Sequence, residues 1–349
     1  MDKISEILGF APAWYIQRNS GYILKKLKPT EINVNLKIED TTIEDIHVRI
    51  YPPLTLNDDN TERLSTIIFY HEGMFYMSSS DEFVLIYFKF QFVCTNYHFT
   101  YALSNNTWIG SSDRYRLAPE HPFSAGLDDC IKATHYVLDR NNAEKLNIDS
   151  KRIAIAGNSA DGNLAAFVAM QFAKDANSNN IPCVQVLIYS TVRFFDLMIP
   201  SYVTPALHIF HSERAVQVLE LYINKSINGD ALVNKHSSIE QKKQYRRFVD
   251  WSLIPNKYRK VYKEPIIDNM DGNPQLIENA KQLLYRDISP LLVDNEDLAK
   301  LPSTYILTVD RDRLRDEGFL SLTFLEGLFE LDIAHEILDG IVHYLKNSP

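Results

Sequence analysis

Short apolar runs alternate with longer amphipathic segments along this chain of 349 residues. Four runs are nearly continuous in apolar residues, which is typical of strands that helices cover on both faces. The predicted strands are residues 65–70, 152–156, 184–189 and 304–309. Apolar residues at helical spacing predict helices over residues 125–140, 163–174 and 317–331. This alternation predicts an α/β fold with a mostly parallel central sheet flanked by helices.

The alternation stops between residues 191 and 302, which are rich in Tyr, His, Pro and polar residues. No strand pattern occurs there, and the stretch is too long for a single crossover connection. We therefore predict one domain over residues 1–349 with an inserted helical cap at about 191–302. Caps shape substrate pockets, so we expect substrate specificity to reside in this region.

Composition and charge exclude several classes of protein. Hydrophobic residues make up 45% of the chain, which is enough for a large core. A net charge of −9 with scattered Lys and Arg argues against a nucleic-acid partner. Cys94, Cys130 and Cys183 are too few and too far apart for a disulfide framework or a zinc site. We expect Cys130 and Cys183 to be buried free thiols, with one disulfide left open for a luminal protein, and expect no metal.

The start of the chain lacks the basic region and continuous apolar stretch of a secretory signal. The most apolar run, residues 83–94, is shorter than the ~20 residues that a membrane span requires. We therefore expect the chain as given to be soluble.

The strongest chemical signal follows the predicted strand 152–156. There the sequence Gly157-Asn158-Ser159-Ala160-Asp161 continues directly into an Ala-rich helical segment. A sharp turn from strand to helix lifts a serine hydroxyl above the sheet, and the helix N–H groups behind it can stabilise an oxyanion. Ser159 is therefore the candidate nucleophile, although a helix N-cap serine would produce the same short pattern. Asp161 stands where the motif has its second glycine, and its charge would disfavour a negative intermediate.

A serine nucleophile requires a histidine base and an orienting carboxylate, which in this type of fold follow it in the order acid, then histidine. Asp312 follows the predicted strand 304–309, and His343 comes 31 residues later. Either residue alone would equally suit a helix cap or an exposed surface position. Their order and predicted positions favour a catalytic role.

Several stretches carry a family resemblance. Tyr115-Arg-Leu-Ala-Pro-Glu-His-Pro-Phe123 is its most specific part. The other stretches are residues 127–130, 157–166, 248–255, 312–318 and 339–343. Together they resemble the motifs of the hormone-sensitive-lipase-like branch of the α/β-hydrolases, closest to arylacetamide deacetylase. The resemblance spans roughly residues 30–345 and implies the α/β-hydrolase fold.

This resemblance implies hydrolysis of carboxylic esters, and in some members of arylacetamides, without a metal or an organic cofactor. Carried over by position, it implies that Ser159 is the nucleophile, Asp312 the orienting acid and His343 the general base. It also implies an oxyanion hole formed by the backbone N–H groups of Gly73, Met74 and Ala160.

The implied partner is a small lipophilic ester or amide, with no nucleic acid. Membrane association is expected only through an anchor outside this sequence. The location stays open, because the residues predict a soluble chain whereas the resemblance implies the endoplasmic reticulum.

Two motifs depart from the family pattern. His71-Glu72-Gly73-Met74 replaces His-Gly-Gly-Gly, and Asn158 and Asp161 replace an aspartate and a glycine in the turn around Ser159. The stretch 92–112 also lacks the Val-rich strand pattern expected before Tyr115.

Two functional hypotheses follow from these departures. The first is an active esterase or amidase that is slow, because one lost oxyanion donor costs on the order of 10²–10³ in rate. The second is an impaired or inactive hydrolase-fold protein that binds a small apolar ligand under its cap. A purely structural role has no positive support in the sequence. The intact triad positions favour the esterase.

Overall fold

A central sheet organises the computed structural model of the protein. The structure describes residues 12–19, 39–52, 63–70, 73–77, 107–110, 115–174, 181–203, 212–266, 271–310 and 312–321. The strands in this part of the chain are β1 (Glu39–Ile43), β2 (Ile46–Tyr51), β3 (Leu64–Tyr70), β4 (Thr107–Gly110), β5 (Ile148–Asn158), β6 (Val184–Ile188) and β7 (Ser303–Leu307). They lie in the order β1-β2-β4-β3-β5-β6-β7.

Strands β3 to β7 run parallel to one another, and the β1–β2 hairpin adds to β4 in the antiparallel sense. The hairpin turns at Glu44 and Asp45, whose φ angles of 49° and 66° are those of a tight two-residue hairpin turn. Parallel strands carry their carboxyl ends at one edge of the sheet. The loops that follow β3, β5, β6 and β7 therefore meet at that edge.

Helices cover the sheet and fill the long connection before β7. They are α1 (13–19), α2 (Ala125–Leu138), α3 (Arg140–Lys145), α4 (Ala160–Lys174), α5 (Pro200–Val203), α6 (Ser212–Ile223), α7 (Ile239–Tyr245), α8 (Asn256–Arg259), α9 (Pro274–Ala280), α10 (Asn295–Leu298) and α11 (Arg315–Leu320). Short 3₁₀ helices occur at Gly229–Val233, Arg246–Phe248, Trp251–Leu253 and Lys281–Leu284. Between β6 and β7 the described residues contain helices and no strand.

The core lies where α4 packs on β5 and β6. Every residue of β6 is buried, as are the last six residues of β5, because helices cover this part of the sheet. Nearly all of α4 is buried too, and its alanines let its backbone approach the strands closely. In contrast, four of the five residues of the edge strand β1 are exposed. The buried positions are thus most continuous in β5, α4 and β6, which are the elements that support Ser159.

The four predicted strands all occur, with ends that shift by a few residues. The predicted helix 125–140 is divided, because Asp139 adopts an extended backbone with ψ 127° and caps α3 by accepting the N–H of Asn142. Helix α4 begins three residues earlier than predicted, and α11 begins at Arg315 instead of 317. The rest of the predicted helix 317–331 lies outside the described residues.

Three other expectations concern residues away from the sheet centre. Strand β4 lies inside the stretch 92–112, so a strand does precede Tyr115, although most of that stretch is outside the described residues. Cys130 is a buried free thiol as predicted. Cys183 is free but partly exposed, because it lies just before β6, where its Sγ is 3.3 Å from the carbonyl of Ile153. None of the helices that the structure describes has the length and apolar character needed to cross a bilayer.

Candidate active site

Ser159 lies on a strained turn between β5 and α4. Its φ of 54° is in the left-handed region, which a non-glycine residue adopts only when its surroundings hold it there. Two hydrogen bonds do so: the Ser159 N–H donates to the carbonyl of Ile188 (3.0 Å), and the N–H of Thr191 donates to the carbonyl of Ser159 (3.1 Å). The end of β6 and the residues after it therefore fix the backbone of the candidate nucleophile.

Two glycines allow this turn to close. A Cβ atom on Gly157 would lie 2.3 Å from the carbonyl oxygen of Asp161, and one on Gly162 would lie 1.8 Å from Oγ of Ser190. Neither contact is tolerable, so the first turn of α4 approaches β5 and the chain after β6 only because these side chains are missing.

The carboxyl group of Asp161 faces the core and not the candidate oxyanion site. Asp161 is fully buried and accepts a hydrogen bond from the hydroxyl of Tyr115, which is also buried. Burial, followed by the charge of Asp161, raises the pKa of Tyr115 well above its usual value. Burial and the same carboxylate also raise the pKa of Cys130. The expected conflict between Asp161 and a developing oxyanion is thus reduced by the direction of its side chain.

Asp312 lies in the loop between β7 and α11. Its N–H donates to the carbonyl of Val309 (3.1 Å), and its carbonyl accepts from the N–H of Arg315 (3.3 Å). The next side chain, Arg313, is 5% exposed, and burial lowers its pKa although the charge of Asp312 partly opposes that effect. Asp312 itself is partly exposed, with access to the cavity beside it.

Ser159 and Asp312 line the same cavity, which has a volume of about 300 Å³. Its walls are mostly apolar and come from five places: the turn after β3, the turn between β5 and α4, the chain after β6 with α5, helix α6 and the loop before α11. The other lining residues are Met74, Phe75, Ala160, Tyr189, Thr191, Phe194, Leu197, Tyr202, Ala215, Val218, Leu219, Val309 and Leu314. A cavity of this size and character suits a small lipophilic molecule.

The turn after β3 places two non-glycine residues in the backbone region that favours glycine. Met74 and Phe75 have φ angles of 52° and 63°. The carbonyl of Gly73 accepts the N–H groups of Tyr76 (3.0 Å) and Met77 (2.6 Å), which holds the turn closed. The predicted oxyanion donors divide here: Met74 and Ala160 line the cavity, whereas Gly73 is buried beside it and does not.

Ala160 is the first residue of α4, so its N–H has no acceptor within the helix. Of the predicted site residues, the structure thus brings Ser159, Asp312, Met74 and Ala160 to one cavity. His343 lies outside the described residues, as do His71 and Glu72.

The sequence motifs did not reveal the polar side chains around the cavity that come from the chain after β6. Thr191 and Tyr202 line it and both bind the buried Glu317. Glu317 stands in the motif stretch 312–318 and at the predicted start of a helix, but neither pattern assigns it a role. Its proximity in sequence to Asp312 was the one available signal, since Thr191 and Tyr202 stand in a region without a recognisable pattern.

Comparison with known proteins identifies the family. A family profile described as alpha/beta hydrolase fold matches residues 100–247. Arylacetamide deacetylase from Bos taurus is 32% identical over 322 residues, which cover 90% of this chain and 76% of that protein. The chain belongs to the arylacetamide deacetylase family of α/β-hydrolases. Neutral cholesterol ester hydrolase 1 from Bos taurus, at 32% identity over 84% of this chain and 70% of that protein, is another relative.

Solved structures show the same fold. An esterase from the fungus Rhizomucor miehei has a TM-score of 0.65 at 22% identity and covers 96% of this chain and 90% of its own. The thermostable carboxylesterase EstE1 has a TM-score of 0.59 at 20% identity, over 95% of this chain and 94% of its own. The predicted α/β-hydrolase fold and the resemblance to arylacetamide deacetylase are confirmed, and the family places the chain among the carboxylic ester hydrolases.

Proposed function

We propose that this family member hydrolyses carboxylic esters of small lipophilic molecules, and arylacetamides among the amides, through a Ser-His-Asp triad. The observation that carries the proposal is the strained Ser159 in the same mostly apolar cavity as Asp312. The names of the relatives, an arylacetamide deacetylase and a neutral cholesterol ester hydrolase, support lipophilic amides and esters as the substrate class.

Each proposed residue has a distinct role. The Ser159 hydroxyl attacks the carbonyl carbon while His343 takes its proton, and Asp312 orients the histidine and stabilises its charged form. The tetrahedral oxyanion binds the N–H groups of Gly73, Met74 and Ala160. His343 then returns the proton to the leaving alcohol or amine, and water hydrolyses the acyl-enzyme by the same route.

The insertion is proposed as the cap that sets specificity. Helix α6 contributes Ala215, Val218 and Leu219 to the cavity wall, all of them apolar. A wall of this kind favours a lipophilic acyl or leaving group, because the burial of each CH₂ contributes about 0.8 kcal/mol. The assignment of residues 191–302 to a cap within one domain stays part of this proposal.

The test is hydrolysis of p-nitrophenyl butyrate and labelling by a fluorophosphonate, with wild type compared to Ser159→Ala. We expect wild type to turn over and label, and Ser159→Ala to do neither. Ser252→Ala, which changes an exposed serine of the insertion, is the matched control and should behave as wild type.

Folded wild-type protein that neither labels nor turns over would overturn the esterase proposal. The alternative, an inactive hydrolase-fold protein that binds an apolar ligand, would then be tested in the same cavity. Titration of wild type with an environment-sensitive apolar fluorophore, with a cavity-filling Ala215→Phe control, would measure that binding.

A further inference from the structure

A buried carboxylate joins the loop of Asp312 to the chain that follows β6. Glu317 is 0% exposed and lies in α11, five residues after Asp312. Its Oε2 accepts the N–H groups of Val192 (2.6 Å) and Arg193 (3.3 Å). The hydroxyl groups of Thr191 (3.2 Å) and Tyr202 also donate to its carboxylate.

The neighbours of Glu317 bind the same stretch of chain. We call residues 312–317 the acid loop and residues 191–202 the entry segment. The acid-loop carboxylate of Asp316 accepts the N–H of Ser201 (2.7 Å), and the guanidinium of Arg313 donates to the carbonyl of Tyr202 (2.7 Å). The acid loop therefore holds both ends of the entry segment.

This contact network reaches both sides of the cavity. Thr191, whose hydroxyl binds Glu317, also donates its N–H to the carbonyl of Ser159. Tyr202, which binds the other oxygen of Glu317, lines the cavity together with Asp312. A single buried side chain thus links the turn of the candidate nucleophile to the loop of the candidate acid.

We propose that Glu317 is a positioning residue, which couples the acid loop to the entry segment and so fixes Asp312 and Tyr202 around the cavity. The inference rests on the proposed function, because it assumes that Asp312 orients the base. Four donors converge on this carboxylate in the core, and removal of their acceptor would leave buried N–H and O–H groups without one, which displaces the chain.

The charged groups near Glu317 do not suggest a simple ion pair. Burial raises the pKa of Glu317, and the charge of Arg193 acts in the opposite direction. Arg193 is itself buried and donates to the carbonyl of Asp196. The neighbouring Asp316 is bound by Arg315. The hydrogen-bond geometry around Glu317 is therefore the feature to test. A charged carboxylate, a neutral carboxyl group and an amide can each approximate this geometry.

Two substitutions separate geometry from charge. In Glu317→Gln, the amide oxygen can accept the N–H groups of Val192 and Arg193, while the amide nitrogen donates to the two hydroxyl oxygens. We expect its kcat to stay within about threefold of wild type. Glu317→Leu has a similar volume but no acceptor. We expect kcat to fall about 10- to 100-fold, which is the loss seen when a residue that orients a metal-binding side chain is replaced.

The pH profile of kcat/KM distinguishes positioning from mere stability. Its acid limb reports protonation of the base, and a carboxylate beside a histidine raises the pKa of that histidine. If Asp312 is displaced in Glu317→Leu, the acid limb shifts to lower pH by about 1 unit, as it should in Asp312→Asn. The double variant should shift no further than Asp312→Asn alone, because both act through one contact.

Asp129→Leu is the matched control, since Asp129 is a carboxylate only 5% exposed that binds the backbone N–H and the guanidinium of Arg116 and does not line the cavity. It should lower the melting temperature and leave the acid limb in place. If Glu317→Leu does not fold, Tyr202→Phe removes one hydrogen bond of the network and should shift the limb less, in the same direction.

The outcomes for the two proposals are separate. A shifted limb in Asp312→Asn with an unshifted limb in Glu317→Leu, or in Tyr202→Phe if that variant stands in for it, overturns this inference and leaves the triad in place. Equal loss of kcat in Glu317→Gln and Glu317→Leu also overturns it, because the hydrogen bonds would then not be the cause. Loss of the proposed function shows instead as a wild type that neither turns over nor labels.

Discussion

The hydroxyl of Tyr115 donates to the carboxylate of Asp161 beneath the turn that presents Ser159. The two side chains are 2% and 0% exposed. Tyr115 belongs to the loop before α2, and Asp161 to the first turn of α4, so the bond ties the helix of the candidate nucleophile to a separate loop. A residue that replaces a family glycine has thus acquired a partner in the core instead of projecting into the cavity.

Replacement of Asp161 by the family residue should therefore cost stability and change activity little. In Asp161→Gly the Tyr115 hydroxyl loses its acceptor, and we expect the free energy of unfolding to fall by about 1–3 kcal/mol in urea titrations. We expect kcat for p-nitrophenyl butyrate to stay within about threefold, because the carboxylate does not face the cavity.

Tyr115→Phe combined with Asp161→Gly is the control for that experiment. This double variant removes both partners of the hydrogen bond. Its loss of unfolding free energy should therefore be smaller than the sum of the losses in the two single variants. A rise in kcat of about tenfold or more in Asp161→Gly would show that the charge of Asp161 does act on the oxyanion.

The close approach of α4 to the chain after β6 predicts a large effect at Gly162. In Gly162→Ala the new methyl group would lie 1.8 Å from Oγ of Ser190. We expect a loss of about 1–3 kcal/mol or more in thermal or urea unfolding, and lower activity because Ser159 is displaced with the helix. Gly229→Ala is the matched control, since its methyl group meets nothing within 4 Å, and its stability should stay within about 0.5 kcal/mol. Equal stability of the two variants would contradict the close packing of Gly162 on Ser190.

The cap proposal predicts a change in substrate preference at Leu219, a side chain of α6 that is 2% exposed and lines the cavity. Leu219→Ala enlarges the cavity, so the ratio of kcat/KM for octanoyl over butyryl p-nitrophenyl esters should rise about tenfold. An effect of this size is within the discrimination that a few methylene groups produce in an apolar pocket. Stability should fall by about 2–5 kcal/mol.

Leu283→Ala is the control for Leu219→Ala. Leu283 is 0% exposed, does not line the cavity and, like Leu219, lies between β6 and β7. Leu283→Ala should lose a similar amount of stability without a change in the ratio of octanoyl to butyryl ester hydrolysis. An unchanged ratio in Leu219→Ala would show that α6 does not determine the preference for acyl-chain length.

The parallel sheet was predictable because its strands are covered on both faces and therefore leave continuous apolar runs. The pattern does not reveal β1, since this exposed edge strand carries polar residues at most positions. Strand β2 is absent from the predicted strands although its buried residues alternate with more exposed ones. The apolar spacing predicts that α4 begins at Asn163, whereas the helix begins at Ala160. The polar residues of the turn do not show helical spacing.

The candidate site was predictable only where a local motif coincided with the end of a strand, as at Ser159 and Asp312. Glu317, Thr191 and Tyr202 meet through contacts that span up to 126 positions of the sequence. No spacing rule connects residues at such separations, and only the folded chain shows that they share a network. The direction of the Asp161 side chain was equally invisible, because it depends on the partner that Tyr115 provides.

The buried His236 makes stability depend on pH. Its ring is 0% exposed, with Nδ1 3.1 Å from the carbonyl of Ala231 and Nε2 3.1 Å from that of Phe194. Burial lowers the pKa of His236 from 6.5 to about 4, and the two carbonyl groups offset this only in part. Between these two values the unfolded chain binds a proton that the folded chain does not, so stability falls as the pH falls.

Urea titrations at pH 7 and pH 4.5 measure this contribution against His236→Gln. Above pH 6.5 both states hold a neutral ring and His236 adds no pH dependence, whereas below about pH 4 both are protonated and the loss levels off. Across the window the loss amounts to about 3 kcal/mol at most, because each pKa unit corresponds to 1.36 kcal/mol. Wild type should therefore lose more stability on acidification than His236→Gln. Equal losses in the two proteins would mean that folding does not shift the pKa of His236. A smaller loss in wild type than in His236→Gln would mean that the ring is already charged, and held by its two carbonyl acceptors, at neutral pH.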